Sequence, residues 1–178
     1  PVGNAGNISS YYKGYKLYKS KNNKLEFPRL IGIQAENSAP LVDKKIVTSP
    51  QTIASAIRIG NPASSSLALE AITQTKGEFL KVSDKQILEA QSLLAKKEGI
   101  FCEPASAASL AGFLRYAESN KDYKGKKIVF ILTGNGLKDP EVAQKYLSSD
   151  IVKTTSKVED ISNAIISGKS KSFFSKFF

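Results

Sequence analysis

Two glycine-rich segments carry the residue types that chemistry would need. In Gly3-Asn4-Ala5-Gly6-Asn7, several backbone N–H groups lie in a turn that feeds a helix N-terminus. Glycine lets a backbone approach a ligand closely and adopt positive φ. The helix start adds unpaired donors and partial positive charge. The combination suits a phosphate, although an ordinary turn uses the same residues, and no Gly-Lys-Ser/Thr follows to make a P-loop. In Leu132-Thr133-Gly134-Asn135-Gly136-Leu137-Lys138-Asp139, the Thr133 hydroxyl follows an apolar run. Ligands of open α/β sheets bind beyond the carboxyl ends of strands, which gives that hydroxyl a plausible use. The plainer reading is a strand-to-helix turn in which Asp139 starts the next helix.

The elements around these segments alternate. A helix through Ser9–Lys13 follows the opening turn, and residues 19–26 read as an exposed turn. Leu30–Ala35 and Glu78–Val82 read as strands. Ser49-Pro50 predicts a helix start, with Pro at the first position, for a helix carrying Ile53, Ala54 and Ile57 and stopping at Gly60-Asn61-Pro62. A helix over Ser65–Lys76 comes next. Ser83 and Gln86 have capping-box spacing for a helix that puts Ile87, Leu88, Gln91, Leu94 and Ala95 on one side and ends at Gly99. Glu103-Pro104 opens a helix of small residues, Ala105 to Gly112, able to lie close to a sheet or ligand. Lys126–Leu132 is the clearest strand, because five successive apolar residues predict cover on both faces, as in a central parallel strand. Val158–Ile166 reads as an amphipathic helix. The pattern predicts an α/β fold with a largely parallel sheet flanked by helices. It divides into residues 1–148, which hold both glycine-rich segments, and 149–178, a helix with a basic, Phe-rich tail. The opening turn has no strand ahead of it, which predicts a chain that starts in mid-fold.

Composition narrows the chemistry. The 178 residues include no His, so a Ser-His-Asp or Cys-His nucleophile system is excluded within the chain. Cys102, the single cysteine, makes neither an internal disulfide nor a Cys/His zinc site. No apolar run reaches the roughly 18 residues of a membrane span, and no signal-peptide pattern opens the chain, so a cytoplasmic location and no membrane partner are expected. The net charge is +10, with 26 Lys and Arg against 16 Asp and Glu. Half of that excess falls in residues 1–30, where Lys13, Lys16, Lys19, Lys21, Lys24 and Arg29 face Glu26 alone, with Tyr11, Tyr12, Tyr15 and Tyr18 interleaved. Such a mixture can bind single-stranded nucleic acid, or be a solvated lysine face beside a tyrosine packing stripe. No nucleic-acid motif accompanies it, so no nucleic-acid partner is expected, and the same field suits an anionic small substrate.

Taken in order, PVGNAGN, GIQAENSAP, ASAIRIGNP, KEGIFCEPASAASLAG and ILTGNGLKDP resemble the threonine synthases, fold-type II enzymes of the tryptophan-synthase-β group that use pyridoxal 5′-phosphate (PLP). The resemblance covers about residues 1–142. It implies the C-terminal portion of such an enzyme, converting O-phospho-L-homoserine and water into L-threonine and phosphate as a homodimer. It implies that Gly3, Asn4, Ala5, Gly6 and Asn7 hold the cofactor phosphate, that Thr133 hydrogen-bonds the pyridine nitrogen, and that Asn7 also faces the substrate phosphate. Glu103 and Ser106 fall beside that site, Glu103 as a helix cap or a cofactor contact. Arg58 and Asn61 belong to the R-I-G-N-P segment, Arg58 with a structural salt bridge as the favoured role. Cys102 reads as a small buried apolar residue. One departure stands out. The family's Schiff-base lysine lies in an S/F-K-D-R-like motif ahead of the phosphate loop, whereas the Lys-Asp pairs here are Lys121-Asp122 and Lys138-Asp139. No catalytic lysine is therefore assigned in this chain, and the chain alone is expected to be inactive, its N-terminal counterpart being the missing partner. The alternatives are another fold-type II enzyme, such as a cysteate synthase or threonine dehydratase, or a non-catalytic phosphometabolite-binding module. The Asn residues of the loop speak against the dehydratases, whose loops carry runs of glycine.

Overall fold

The computed structural model describes residues 1–120, 122–146 and 154–166. Strand β1 (Ile31–Ala35) pairs in parallel with β2 (Glu78–Val82), from Ile31 opposite Glu78 to Ala35 opposite Val82. Helices α1 (Gly6–Lys21) and α3 (Ser65–Gln74) pack together on one side of this ladder, with Val2, Ile8, Ala68 and Ile72 buried between. Helices α4 (Asp84–Glu98) and α5 (Pro104–Ser119) pack together on the other. Alternation along the strands makes both layers possible. Ile33, Ala35 and Val82 join Ile87, Leu94 and the alanines of α5, whereas Leu30 and Phe79 join the α1–α3 layer. The short helix α2 (Pro40–Asp43) follows β1, and α6 (Pro140–Tyr146) and α7 (Val158–Ile166) come last.

The small residues of α5 do what their size predicts. A Cβ on Gly112 would come within 2.1 Å of Ile33 Cδ1, so the helix seats against β1 only because that side chain is missing. Helix α4 has the expected capping box, Ser83 accepting from Gln86 N–H and Gln86 Oε1 accepting from Ser83 N–H, and it ends at Gly99 with φ 67°. Ile87 is fully buried, worth roughly 1.5–3 kcal/mol for a side chain of its size.

Three expectations need correction. The first helix runs from Gly6 to Lys21, longer at both ends than Ser9–Lys13, and takes in the start of the stretch read as a turn. Tyr12 is buried and stacks edge-on with Phe27 at 5.7 Å between centroids, and this tertiary packing carries the helix past its weak local signals. No α-helix follows Ser49-Pro50, only a 3₁₀ turn over Ser55–Ile57. Side chains take the backbone groups that a helix would use: Asp84 accepts from Ile53 N–H, Thr52 Oγ1 from Ala54 N–H, and Ile57 and Ile59 carbonyls accept from Ser38 Oγ. The apolar run Ile128–Leu132 has no regular secondary structure and joins no ladder among the described residues. Val129 is 71% exposed and Ile128 41%, so the cover that the sequence predicts is not supplied by the described residues. The proposed boundary at 148 and the Phe-rich tail lie outside the described residues, while α7 is the expected helix with Val158, Ile165 and Ile166 exposed.

Candidate active site

The opening loop is held by backbone contacts that leave one face free. Val2 N–H donates to Ile33 O at 2.8 Å, placing the loop beside the carboxyl half of β1. Gly3 is buried, and a Cβ there would lie 2.7 Å from Ala56 O, so the 55–57 turn is the loop's floor. Asn4 uses its side chain internally, Oδ1 accepting from Ala63 N–H at 2.7 Å, while its carbonyl accepts from Ser64 N–H. Ala5 is left-handed at φ 66° and leads directly into α1. That helix has no side-chain cap and no acid in its first turn. The N–H groups of Gly6, Asn7 and Ile8 therefore remain the unpaired donors that every helix start presents. Gly6 and Asn7 are exposed, and nothing lies within 4 Å of the Cβ position of Gly6. An open, uncapped N-terminus of a long helix behind a glycine turn fits a phosphate.

Thr133 stands at the start of α5. Its Oγ1 is 3.1 Å from Ser106 Oγ and 3.5 Å from Glu103 Oε1. Ser106 is buried and accepts from Gly134 N–H at 2.8 Å. Glu103 N–H donates to Gly134 O at 3.0 Å, and Gly136 N–H donates to Phe101 O at 3.1 Å. Residues 101–106 and 133–136 are thus one unit. Thr133 itself is exposed. The glycines are structural here, because a Cβ on Gly136 would meet the Phe101 ring at 2.4 Å. The 55–57 turn links the two segments, touching Gly3 on one side and α5 on the other.

Other assigned residues divide. Glu103, a residue 7% exposed, precedes α5 but makes no side-chain cap, and its carboxylate lies against Thr133 and Gly134 instead. Arg58 is exposed and has no ion-pair partner among the described residues, contrary to the salt bridge expected of it. With Thr52, Ser55, Asp84, Lys138 and Asp139 it lines an open cleft of about 520 Å³. Asn61 is exposed in the turn after Gly60. Cys102 is buried as expected, and burial pushes its thiol pKa up, which makes it a poor nucleophile. No cluster of metal-ligating side chains occurs among the described residues, and no described helix is long and apolar enough to cross a membrane.

Sequence reasoning missed the residues that brace this arrangement. Gln34, fully buried in β1, donates to Val2 O and accepts from Leu41 N–H at 2.9 Å. Ser38, also buried, donates to Ile57 O at 3.0 Å. Together they fasten the end of β1 to the opening loop and to the 55–57 turn. The available signal was a lone glutamine in an otherwise apolar strand, since a buried amide must find partners.

Comparison with known proteins places these features. The chain is 50% identical over 165 residues to a threonine synthase of Bacillus sp. (strain ULM1), an alignment that takes in 93% of this chain and 47% of that protein. It is 51% identical over 149 residues to a threonine synthase of Mycobacterium tuberculosis (strain ATCC 25618 / H37Rv), covering 84% of this chain and 41% of that one. The chain therefore spans about half the length of the curated relatives it matches. Maize serine racemase superposes with a TM-score of 0.61 over 82% of this chain and 45% of its own, at 19% identity, which shows a shared fold. The family described as pyridoxal-phosphate dependent enzyme matches residues 1–134, which takes in the opening loop and reaches Thr133 and Gly134 of the second segment. On that match, the chain belongs to the pyridoxal-phosphate dependent enzymes.

Proposed function

We propose that the chain is the C-terminal portion of a threonine synthase, an enzyme converting O-phospho-L-homoserine and water into L-threonine and phosphate. The observation that carries this reading is the 50% identity to the Bacillus enzyme across 93% of the chain. In this reading residues 1–148 form the C-terminal part of the catalytic domain. The lysine that joins the cofactor, and the other half of the pocket, come from the remainder of the longer enzyme, a cytoplasmic homodimer. The chain alone is inactive.

PLP, when bound, withdraws electrons from the substrate's α-carbon and so eases proton removal and loss of phosphate. The residues here do the binding and orienting. The N–H groups of Gly6, Asn7 and Ile8 take the cofactor phosphate, with Gly3 and Ala5 giving the loop its shape. Asn4 contributes through the loop, because its side chain is committed to Ala63. Thr133 offers its hydroxyl to the ring nitrogen. The exposed guanidinium of Arg58 and the overall charge of +10 favour a phosphorylated, anionic substrate. The test is the complete enzyme supplied with PLP and O-phospho-L-homoserine. It should release phosphate and form threonine, and Thr133→Val should alter the cofactor's visible spectrum. Full-length enzyme that binds PLP but leaves this substrate intact would refute the assignment.

A further inference from the structure

Two cations and two carboxylates share one cleft without meeting. Arg58 and Lys138 line the open cleft of about 520 Å³ together with Asp84 and Asp139. Neither cation pairs with either carboxylate, or with any other acid among the described residues. Uncharged donors hold the acids instead. Asp84 accepts from Thr52 Oγ1 at 2.5 Å through one oxygen and from Ile53 N–H at 3.1 Å through the other. Asp139 accepts from Ser55 Oγ at 3.1 Å through Oδ2 alone, so its Oδ1 has no side-chain or backbone donor among the described residues. The loop thus occupies Asp84, whereas Asp139 Oδ1 and both cations keep their capacity. A guanidinium offers five donors in a fork that fits a carboxylate, and an ammonium offers three.

A ligand that is only negative would be repelled by the two carboxylates, and one that is only positive by the two cations. A molecule bearing both charges is complementary to both. We propose that this cleft binds an α-amino acid as its zwitterion, with the carboxylate on Arg58 and Lys138 and the ammonium on Asp139 Oδ1. The cleft is of the size of small-molecule sites, roughly 300–1,000 Å³. Neither Thr133 nor any residue of the opening loop lines it. Ser55 of the 55–57 turn forms part of its wall, and the same turn is the floor under Gly3, so an amino acid bound there braces the support of the loop. The inference does not depend on which reaction the enzyme performs.

The test titrates the complete enzyme, loaded with PLP, with N,N-dimethylglycine and follows binding by calorimetry. This probe keeps both charges of an amino acid, but its tertiary nitrogen cannot condense with the cofactor's aldehyde. Binding is expected to be weak, because both ends of the ligand stay partly in water. Arg58→Gln and Asp139→Asn should each weaken it about tenfold or more, and Lys138→Gln serves if either does not fold. Ser55→Ala, which keeps every charge, should bind the probe at least as well as the unsubstituted enzyme. Acetate, which lacks the ammonium, should bind about tenfold or more weakly than the probe. An enzyme that does not bind the probe, acetate that binds as tightly, or binding that the charge-removing variants leave unchanged overturns the proposal. The visible spectrum of the same samples reports the cofactor. Enzyme that takes up no PLP refutes the cofactor reading, and the outcome at the cleft is read independently of it.

Discussion

The β1–β2 ladder with its opening loop and the stretch Ile128–Leu132 both carry apolar runs, but only the first is closed on both faces among the described residues. Around the ladder, helices close both faces, and glycines are so tightly enclosed that Gly60 and Gly77 have backbone carbonyls at the place of a Cβ. Along Ile128–Leu132, Ile128, Val129 and Ile131 are exposed. The difference teaches that an apolar run reports what a segment could bury, whereas burial reports which partners the described residues supply. Among the described residues, one ladder has helices on both faces while another apolar run has little cover.

The largest effect should follow a methyl placed in the packed region. Gly60→Ala puts a Cβ 1.8 Å from Val47 O, a backbone atom that cannot step aside. A loss of about 4 kcal/mol is expected, at the upper end of single substitutions, measured by urea denaturation. A tolerated alanine would mean that the 55–60 floor is not rigid. Next comes a matched pair. Ile87→Ala should cost about 3 kcal/mol through lost burial and a cavity. Val129→Ala should cost less than about 0.5 kcal/mol in this chain, and about 2 kcal/mol in a longer enzyme if that enzyme covers the run. Equal costs in both settings would break the comparison, for the strand would then have no partner to gain. A smaller change is expected at the loop itself. Asn4→Ala removes the acceptor for Ala63 N–H, costing about 1 kcal/mol, and should weaken PLP binding by loosening the cradle rather than by removing a direct contact.

Much of this was legible in the residues because local rules governed it. The Ser83–Gln86 box, the Gly99 stop and the small-residue face of α5 follow from spacing alone. The glycine-rich segments were visible by type and order. What could not be read was set by distant partners. Ser49-Pro50 is a sound helix start, yet Asp84 and Ser38 claim the backbone behind it from 31 and 19 residues away. The role of Glu103 turned on whether its carboxylate reached back to the helix or across to Thr133, a choice that its neighbours in sequence do not make. The strand signal of Ile128–Leu132 was sound as chemistry, and its cover is not among the described residues.

The smallest expected effect lies where the two regions are fastened together. Arg29, just before β1, bonds Glu78 at the start of β2 at 2.5 Å and Asp122 at 2.9 Å. Tyr116 of α5 donates to the other Asp122 oxygen at 2.6 Å. A second tie is aromatic, with Phe113 of α5 edge-on to Tyr123 and Phe130 at 5.3 and 5.4 Å. The Tyr116 hydrogen bond, helped by the Arg29 charge, holds the Asp122 carboxyl below the usual carboxylate range. The folded chain therefore gives up this proton more readily than the unfolded one. The resulting stability is present above the unfolded value and is lost as pH falls through the folded one. These groups are exposed, so salt screens the tie and its worth is slight. Asp122→Asn should leave stability near neutral pH almost unchanged and flatten part of its decline in acid, as read from urea midpoints across pH at low salt. If the Asp122 carboxyl titrates at an ordinary value by NMR, the ion-pair tie is absent in solution. The aromatic contacts of Phe113 then carry the attachment of Ile128–Leu132 to the packed half, and Phe113→Ala, not Asp122→Asn, becomes the substitution that separates the two regions.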